Sequence, residues 1–280
     1  MDAKILELLN ALRRSYTDPL KTPVQRLRER WERIFRGREL LKSKDPRSSV
    51  LVHFEKHGYY LVNDRLIQRD PELETKIDWI HVNSIRNKKC SLWHNAIFDT
   101  FGYIPSPCYE CFKVVVKPRT VKELFVLYEL SRGLRMSSKC GIERREFVFG
   151  PYSMFFYASG LKEGLRIYRE VREVVHNSVS PDVSVILKCG CTRYELEMGP
   201  SDQWKMSPEQ TDFESFLKEN ISKQIWDWEM EEFSQNEKLQ DVIKKTWISW
   251  AYHIGDSTYL EFTEGRPVFP KGATYHDKGL

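Results

Sequence analysis

Apolar residues recur at helical spacing near the N-terminus, at Ile5, Leu8, Leu9 and Leu12, and predict a first helix. Thr22-Pro23-Val24-Gln25 then reads as a second start: a Thr cap, Pro at the first helical position, Gln at the capping-box position. Leu27, Trp31, Ile34 and Phe35 form its apolar stripe, and Arg26, Arg28, Arg30, Arg33, Arg36 and Arg38 line the rest. Residues 1–47 are therefore expected to be a basic helical segment. In 48–107, Val50, Val52 and Phe54 alternate against Tyr60 and Val62 around His57-Gly58, which predicts a β-hairpin followed by a connecting segment. On that reading His53 and His57 flank a turn and are not metal ligands.

Residues 108–198 carry the clearest pattern. Phe112–Lys117 is a buried-type strand, and Thr120-Val121-Lys122-Glu123 a capping box that opens a helix closed by Gly133. Glu143–Phe149 and Tyr152–Tyr157 are expected strands around the Gly150-Pro151 turn. Ser159 is expected to cap a helix striped by Leu161, Leu165, Tyr168, Val171 and Val175. Val183–Leu187 is a fourth strand and Tyr194–Met198 a short further one. The order is β-α-β-β-α-β, which predicts an α+β protein with a ferredoxin-like core. Residues 199–280 are expected to form a mainly helical, Trp-rich extension, with a capping box at Ser234-Gln235-Asn236-Glu237 and a helix end near Ile254-Gly255. A short strand at Thr258–Phe262 follows.

Composition changes this picture little. Hydrophobic residues make up 41% and charged residues 30%, as in ordinary folded chains. No apolar run approaches the ~18 residues of a membrane span, and Met1–Leu12 lacks a signal-peptide pattern, so a soluble, cytoplasmic protein is expected. The net charge of +4 implies no particular partner. Its distribution is uneven: residues 1–50 hold 13 Lys and Arg against 7 Asp and Glu, while 202–245 hold 11 Asp and Glu against 6 Lys. The basic helix is a candidate nucleic-acid surface, though a protein-docking helix suits its interspersed glutamates better.

The candidate chemistry lies in the cysteines. In a reducing compartment, paired thiols point to metal or redox chemistry before structural disulfides. Cys108 and Cys111 precede the first strand, and Cys189-Gly190-Cys191 ends the fourth. In the predicted fold those strands are antiparallel neighbours, so the two pairs meet at one edge of the sheet. Cys108, Cys111, Cys189 and Cys191 are thus the expected metal ligands. Four thiolates suit tetrahedral zinc first and a [4Fe–4S] cluster second, although the Cys-x-Cys pair matches neither spacing fully. A redox dithiol and plain buried thiols are the remaining readings. Cys140 is expected on the same rim, with Gly190 turning tightly beside the ligands. Ser159 and Gly160 are expected there too, opening a helix whose N-terminal amides favour thiolates.

No nucleophile elbow, phosphate loop or HExxH is present. The aromatic strand Tyr152–Tyr157 has the ring content of an RNA-recognition sheet without that motif's order. The expected function is a cysteine-ligated metal protein serving as an accessory or docking subunit of a larger assembly. The alternatives are an iron–sulfur redox enzyme or electron-transfer subunit, and a metal-stabilised RNA-binding protein.

Overall fold

The computed structural model describes residues 23–68, 78–87, 90, 92–145, 147–226, 230–233, 235–272 and 275. The predicted helix through Leu12, the Thr22 cap and Ser234 lie outside them. The chain is a mixed α+β protein built on a five-stranded antiparallel sheet.

Helix α1 (Pro23–Leu41) is the expected Arg-rich helix. Its stripe divides: Ile34 is buried, while Trp31 and Phe35 are 58% and 65% exposed. Helix α2 (Pro46–Lys56) replaces the first arm of the expected hairpin. Asp45 caps it, accepting from the Ser48 N–H at 3.0 Å. Alternation at 50, 52 and 54 fits a strand, but 50 and 54 also share one helical face. Val50 and Phe54 are buried, and Val52 points outward at 51% exposure. The hairpin begins one step later, as β1 (Tyr59–Val62) and β2 (Arg65–Gln68). Its turn is Asn63-Asp64, both at positive φ, in place of His57-Gly58.

Next come β3 (Trp79–Val82) and β4 (Ser84–Asn87), then a π-helical turn at Leu92–Phe98 continuing through Phe101. The element order from 111 to 189 is β5 (Cys111–Lys117), α3 (Val121–Leu134), β6 (Ser138–Ile142), β7 (Tyr152–Ser159), α4 (Leu161–Ser178) and β8 (Ser184–Cys189). The sheet runs β3-β6-β7-β5-β8, all pairs antiparallel. Thr120 caps α3 as expected, accepting from the Glu123 N–H at 3.2 Å, but the helix passes Gly133 and stops at Leu134.

Three strand assignments change. The second strand is Ser138–Ile142; in the expected 143–149 strand, the described residues 143–145 and 147–149 form a loop, in which Glu143 is buried and held by Arg145 Nε at 2.7 Å. Tyr194–Met198 belongs to helix α5 (Thr192–Met198), whose Tyr194 is fully buried. Thr258–Phe262 lies in a 3₁₀ helix (Ser257–Phe262). The last two segments are short, and burial of a single ring, Tyr194 or Tyr259, overrides their weak strand preference.

Helices α6 (Pro208–Asn220) and α7 (Glu237–Ile254) and the strand β9 (Met230–Phe233), which pairs with β4, complete the chain. Asn236 caps α7, accepting from the Leu239 N–H at 2.8 Å.

Two hydrophobic cores result. One lies between the sheet and α3, α4 and α7, with Val114, Val116, Met154, Phe156, Leu124, Ile167 and Trp247 at its centre. The other gathers α2, the π-helical segment, Cys108, Tyr194 and α6. The 199–280 region therefore does not pack as one extension: α6 joins the second core and α7 the first. The end of the β5–β8 pair stands at the seam between the cores. Among the described residues no helix is long and apolar enough to cross a membrane.

Candidate functional site: a cysteine cluster at the seam

Strand pairing builds the site. Phe112 pairs with Cys189, and the Gly190 N–H donates to the Cys111 carbonyl at 2.7 Å, so the two cysteine pairs occupy one end of β5–β8. Gly190 takes φ +62°, and a Cβ there would stand 2.6 Å from the Trp204 ring. Glycine lets the chain reverse between Cys189 and Cys191 with that ring pressed against it.

The sulfurs do not share one environment. Cys191 Sγ stands 3.2 Å from Lys113 Nζ and 3.3 Å from His94 Nε2. Burial alone would raise this thiol, but the Lys113 ammonium and then His94 outweigh it and bring Cys191 down to about 5. Lys113 responds in kind: burial pulls its pKa down, and the neighbouring Cys191 and Cys111 charges hold it above its ordinary value. The His94 ring stacks on Tyr194 at 4.6 Å, and its Nδ1 is buried without a hydrogen-bond partner.

Cys108 is buried, 3.8 Å from the Tyr194 hydroxyl. Burial raises its pKa, and charge on Cys191, Cys111 and Cys90 raises it further. Cys111 is raised by burial and by Cys191, against the pull of Lys113. Cys90, an exposed residue just before the π-helical turn, thus lies within electrostatic reach of Cys108, Cys111 and Cys191.

Cys189 is turned differently. Its thiol donates to the Tyr109 carbonyl at 3.2 Å, and burial together with Cys111 pushes it up to about 11. A thiol spent on a backbone carbonyl is a protonated thiol.

Cys140 is not on this rim. It pairs with Ile80 and Met154 within the sheet and is fully buried in the first core. The reason is the shifted second strand, which places Cys140 inside β6 and not in its lead-in. Ser159 and Gly160 do sit at the rim, since Ser159 pairs with Cys111. Their amides are occupied, however: the Ser159 N–H by Glu163 at 2.8 Å and the Gly160 N–H by the Glu110 carbonyl at 2.8 Å. Gly160, not Ser159, is the cap residue of α4.

Sequence reasoning left open whether Cys90 takes part in the site, and missed His94 and Lys113. One signal was available: Cys90 and His94 are four apart, a spacing that places both on one helical face, and they precede Cys108-x-x-Cys111 by a short interval. Lys113 carries no such signal, because alternation along β5 alone turns it toward Cys191.

Among the described residues, no three His, Cys, Asp or Glu side chains stand close enough to hold a metal ion as placed. The expected four are brought to one strand end, with Cys189 engaged elsewhere and Cys90 nearby. Comparison with family models, curated proteins and solved structures finds no match to this chain.

Proposed function

We propose that the seam is a cysteine metal centre, zinc first and [4Fe–4S] second, whose ligands are Cys90, Cys108, Cys111 and Cys191. The supporting observation is geometric: Phe112 pairs with Cys189 and the Gly190 N–H meets the Cys111 carbonyl at 2.7 Å, which gathers the Cys108–Cys111 and Cys189–Cys191 segments at one strand end, with Cys90 close enough for its charge to reach Cys108. A change of rotamer about the Cα–Cβ bond moves a cysteine sulfur by a few ångströms, which is how such a group would close on an ion. Four thiolates around Zn²⁺ leave two negative charges. Lys113 and His94, already against Cys191 at 3.2 and 3.3 Å, are placed to offset part of that charge by donating hydrogen bonds to its sulfur.

Cys189 leaves the expected ligand set because its thiol is committed to Tyr109. Four protein ligands leave no open position for substrate, so a zinc ion here contributes folding energy and joins the two cores. The chain then serves as an accessory module. The exposed Trp31 and Phe35 of α1 support a docking role, since large rings facing solvent are typical of protein interfaces.

Elemental analysis of anaerobically purified protein tests this. One equivalent of zinc is expected, lost on Cys90→Ser, Cys108→Ser, Cys111→Ser or Cys191→Ser and retained on Cys189→Ser and Cys140→Ser. Iron with acid-labile sulfide would select the cluster instead. Protein that folds without metal, and takes up neither zinc nor iron with sulfide on reconstitution, overturns the proposal.

A further inference from the structure

The strands of the sheet alternate, so the residues between those of the first core project from the opposite face. On β5 these are Lys113 and Lys117, on β6 Lys139, and on β7 Ser153, Phe155 and Tyr157. Arg145, from the loop after β6, reaches the same face. Its guanidinium lies 5.7 Å from the Phe155 ring centre, and Lys139 Nζ lies 5.7 Å from the same centre and 4.9 Å from that of Trp79.

The charges on this face do not balance. Among the described residues Glu143 is the carboxylate that contacts them, and it is shared. Arg145 spends Nε and Nη2 on it at 2.7 and 2.5 Å. Lys117 reaches it through Ser153, by contacts of 2.6 and 3.2 Å. Lys113 is matched by Cys191. Lys139 lies against two rings and makes no ion pair with a carboxylate among the described residues. Among the described residues, one carboxylate therefore stands among three cations, Lys117, Lys139 and Arg145, in partly buried positions. Unmatched charge is costly where water is scarce.

We infer that this face is a binding site for a phosphate group, held between Lys139, Lys117 and the free Nη1 edge of Arg145, beside the Trp79 and Phe155 rings. Two ammonium groups and a guanidinium on one face of the sheet supply the donors that a tetrahedral, multiply charged oxyanion requires. Burial, with the neighbouring cations Lys113 and Arg145, lowers Lys139 to about 8, and burial likewise lowers Lys117 to about 8. An anion between them relieves both costs. The phosphate is one carried by a nucleotide or a single strand of nucleic acid, since the partly exposed Trp79 ring beside Lys139 offers a surface on which a base can stack. This site adjoins the cysteine cluster, since charge on Cys191 reaches both Lys139 and Arg145, but its donors are not among the proposed metal ligands.

The test is isothermal titration calorimetry of the full chain with three probes: inorganic phosphate, a nucleoside triphosphate and a ten-nucleotide single-stranded oligothymidine. The triphosphate is expected to bind, with inorganic phosphate competing and affinity falling as salt is raised. Lys139→Gln and Arg145→Gln should each weaken binding about 10-fold or more, while Lys122→Gln, which alters an exposed pair with Glu261, leaves it unchanged. Oligothymidine binding tighter than the triphosphate identifies a nucleic-acid strand as the source; the reverse identifies a free nucleotide. Either outcome supports the site. Thermal unfolding of the two variants within a few degrees of the parent shows that any loss is local. If Arg145→Gln fails to fold, Lys139→Gln alone decides, because Lys139 makes no ion pair. No binding of any probe at about 1 mM, or binding unaltered by Lys139→Gln, overturns the inference.

Discussion

Replacing Gly190 by alanine separates two costs that the structure predicts to coincide at one residue. The first is conformational. Gly190 holds φ +62°, where an L-residue pays about 1 kcal/mol. The second is steric. The new Cβ would lie 2.6 and 2.7 Å from Cζ3 and Cη2 of Trp204. That ring cannot swing away freely: its Nε1 donates to the Gly199 carbonyl at 2.8 Å, and it packs edge-on against Tyr109 and Tyr194 with ring centres 6.1 and 6.2 Å apart. Displacing it costs roughly one hydrogen bond plus an overpacking penalty, together about 2 kcal/mol. Gly190→Ala should therefore lose about 3 kcal/mol. Gly255→Ala provides the comparison. Gly255 has φ +79° in a left-handed cap, with nothing within 4 Å of an added Cβ, so it pays the backbone cost alone, about 1 kcal/mol. Urea unfolding followed by far-ultraviolet circular dichroism measures both, with the unfolding slope checked for constancy. A difference between the two variants below about 0.5 kcal/mol would refute the claim that Trp204 is pinned against the Cys189–Cys191 turn.

Other perturbations read other parts of the structure. Trp247→Ala removes a fully buried ring whose Nε1 donates to the Asp78 carbonyl at 2.9 Å, and should cost about 3–5 kcal/mol in the same unfolding assay. Asp45→Ala removes the α2 cap and should cost about 1 kcal/mol, seen as a small shift of midpoint at constant slope. His53 is lowered from 6.5 to about 4, first by burial and then by His57. It therefore stays neutral in the folded chain where the unfolded chain takes up a proton. Its contribution is complete above pH 6.5 and is lost as pH falls from about 6.5 toward 4. Because the ring is only partly buried, solvent screening reduces the effect to about 1 kcal/mol. His53→Gln should flatten that part of the stability–pH curve, and an unchanged slope would contradict the assignment.

Much of the secondary structure was legible along the chain because its signals are local. The Thr120 cap, the alternation of Val114 and Val116, the amphipathic stripe of α4 and the glycine after Ile254 each depend on neighbours a few residues away. Where two periods overlap, the sequence misled. Val50, Val52 and Phe54 satisfy a strand and one face of a helix equally, and only Asp45 with the pocket that takes Val50 and Phe54 decides between them. Residues 143–149 look like a strand by apolar content, yet Glu143 is drawn inward to Arg145, and residues 143–145 and 147–149 form a loop. That one-element shift is also what removes Cys140 from the rim.

The sequence by itself determined the α+β class, the antiparallel meeting of the strands that start at Cys111 and end at Cys189, and the gathering of the Cys108–Cys111 and Cys189–Cys191 segments at one end of them. Tertiary structure alone decided which sulfurs face one another. Cys189 and Cys191 are two residues apart, but one thiol points to a backbone carbonyl and the other to Lys113 and His94. Side-chain direction at a strand end depends on the turn that follows, and that turn is set by Trp204, Tyr194 and the packing of two cores, contacts that no local pattern encodes.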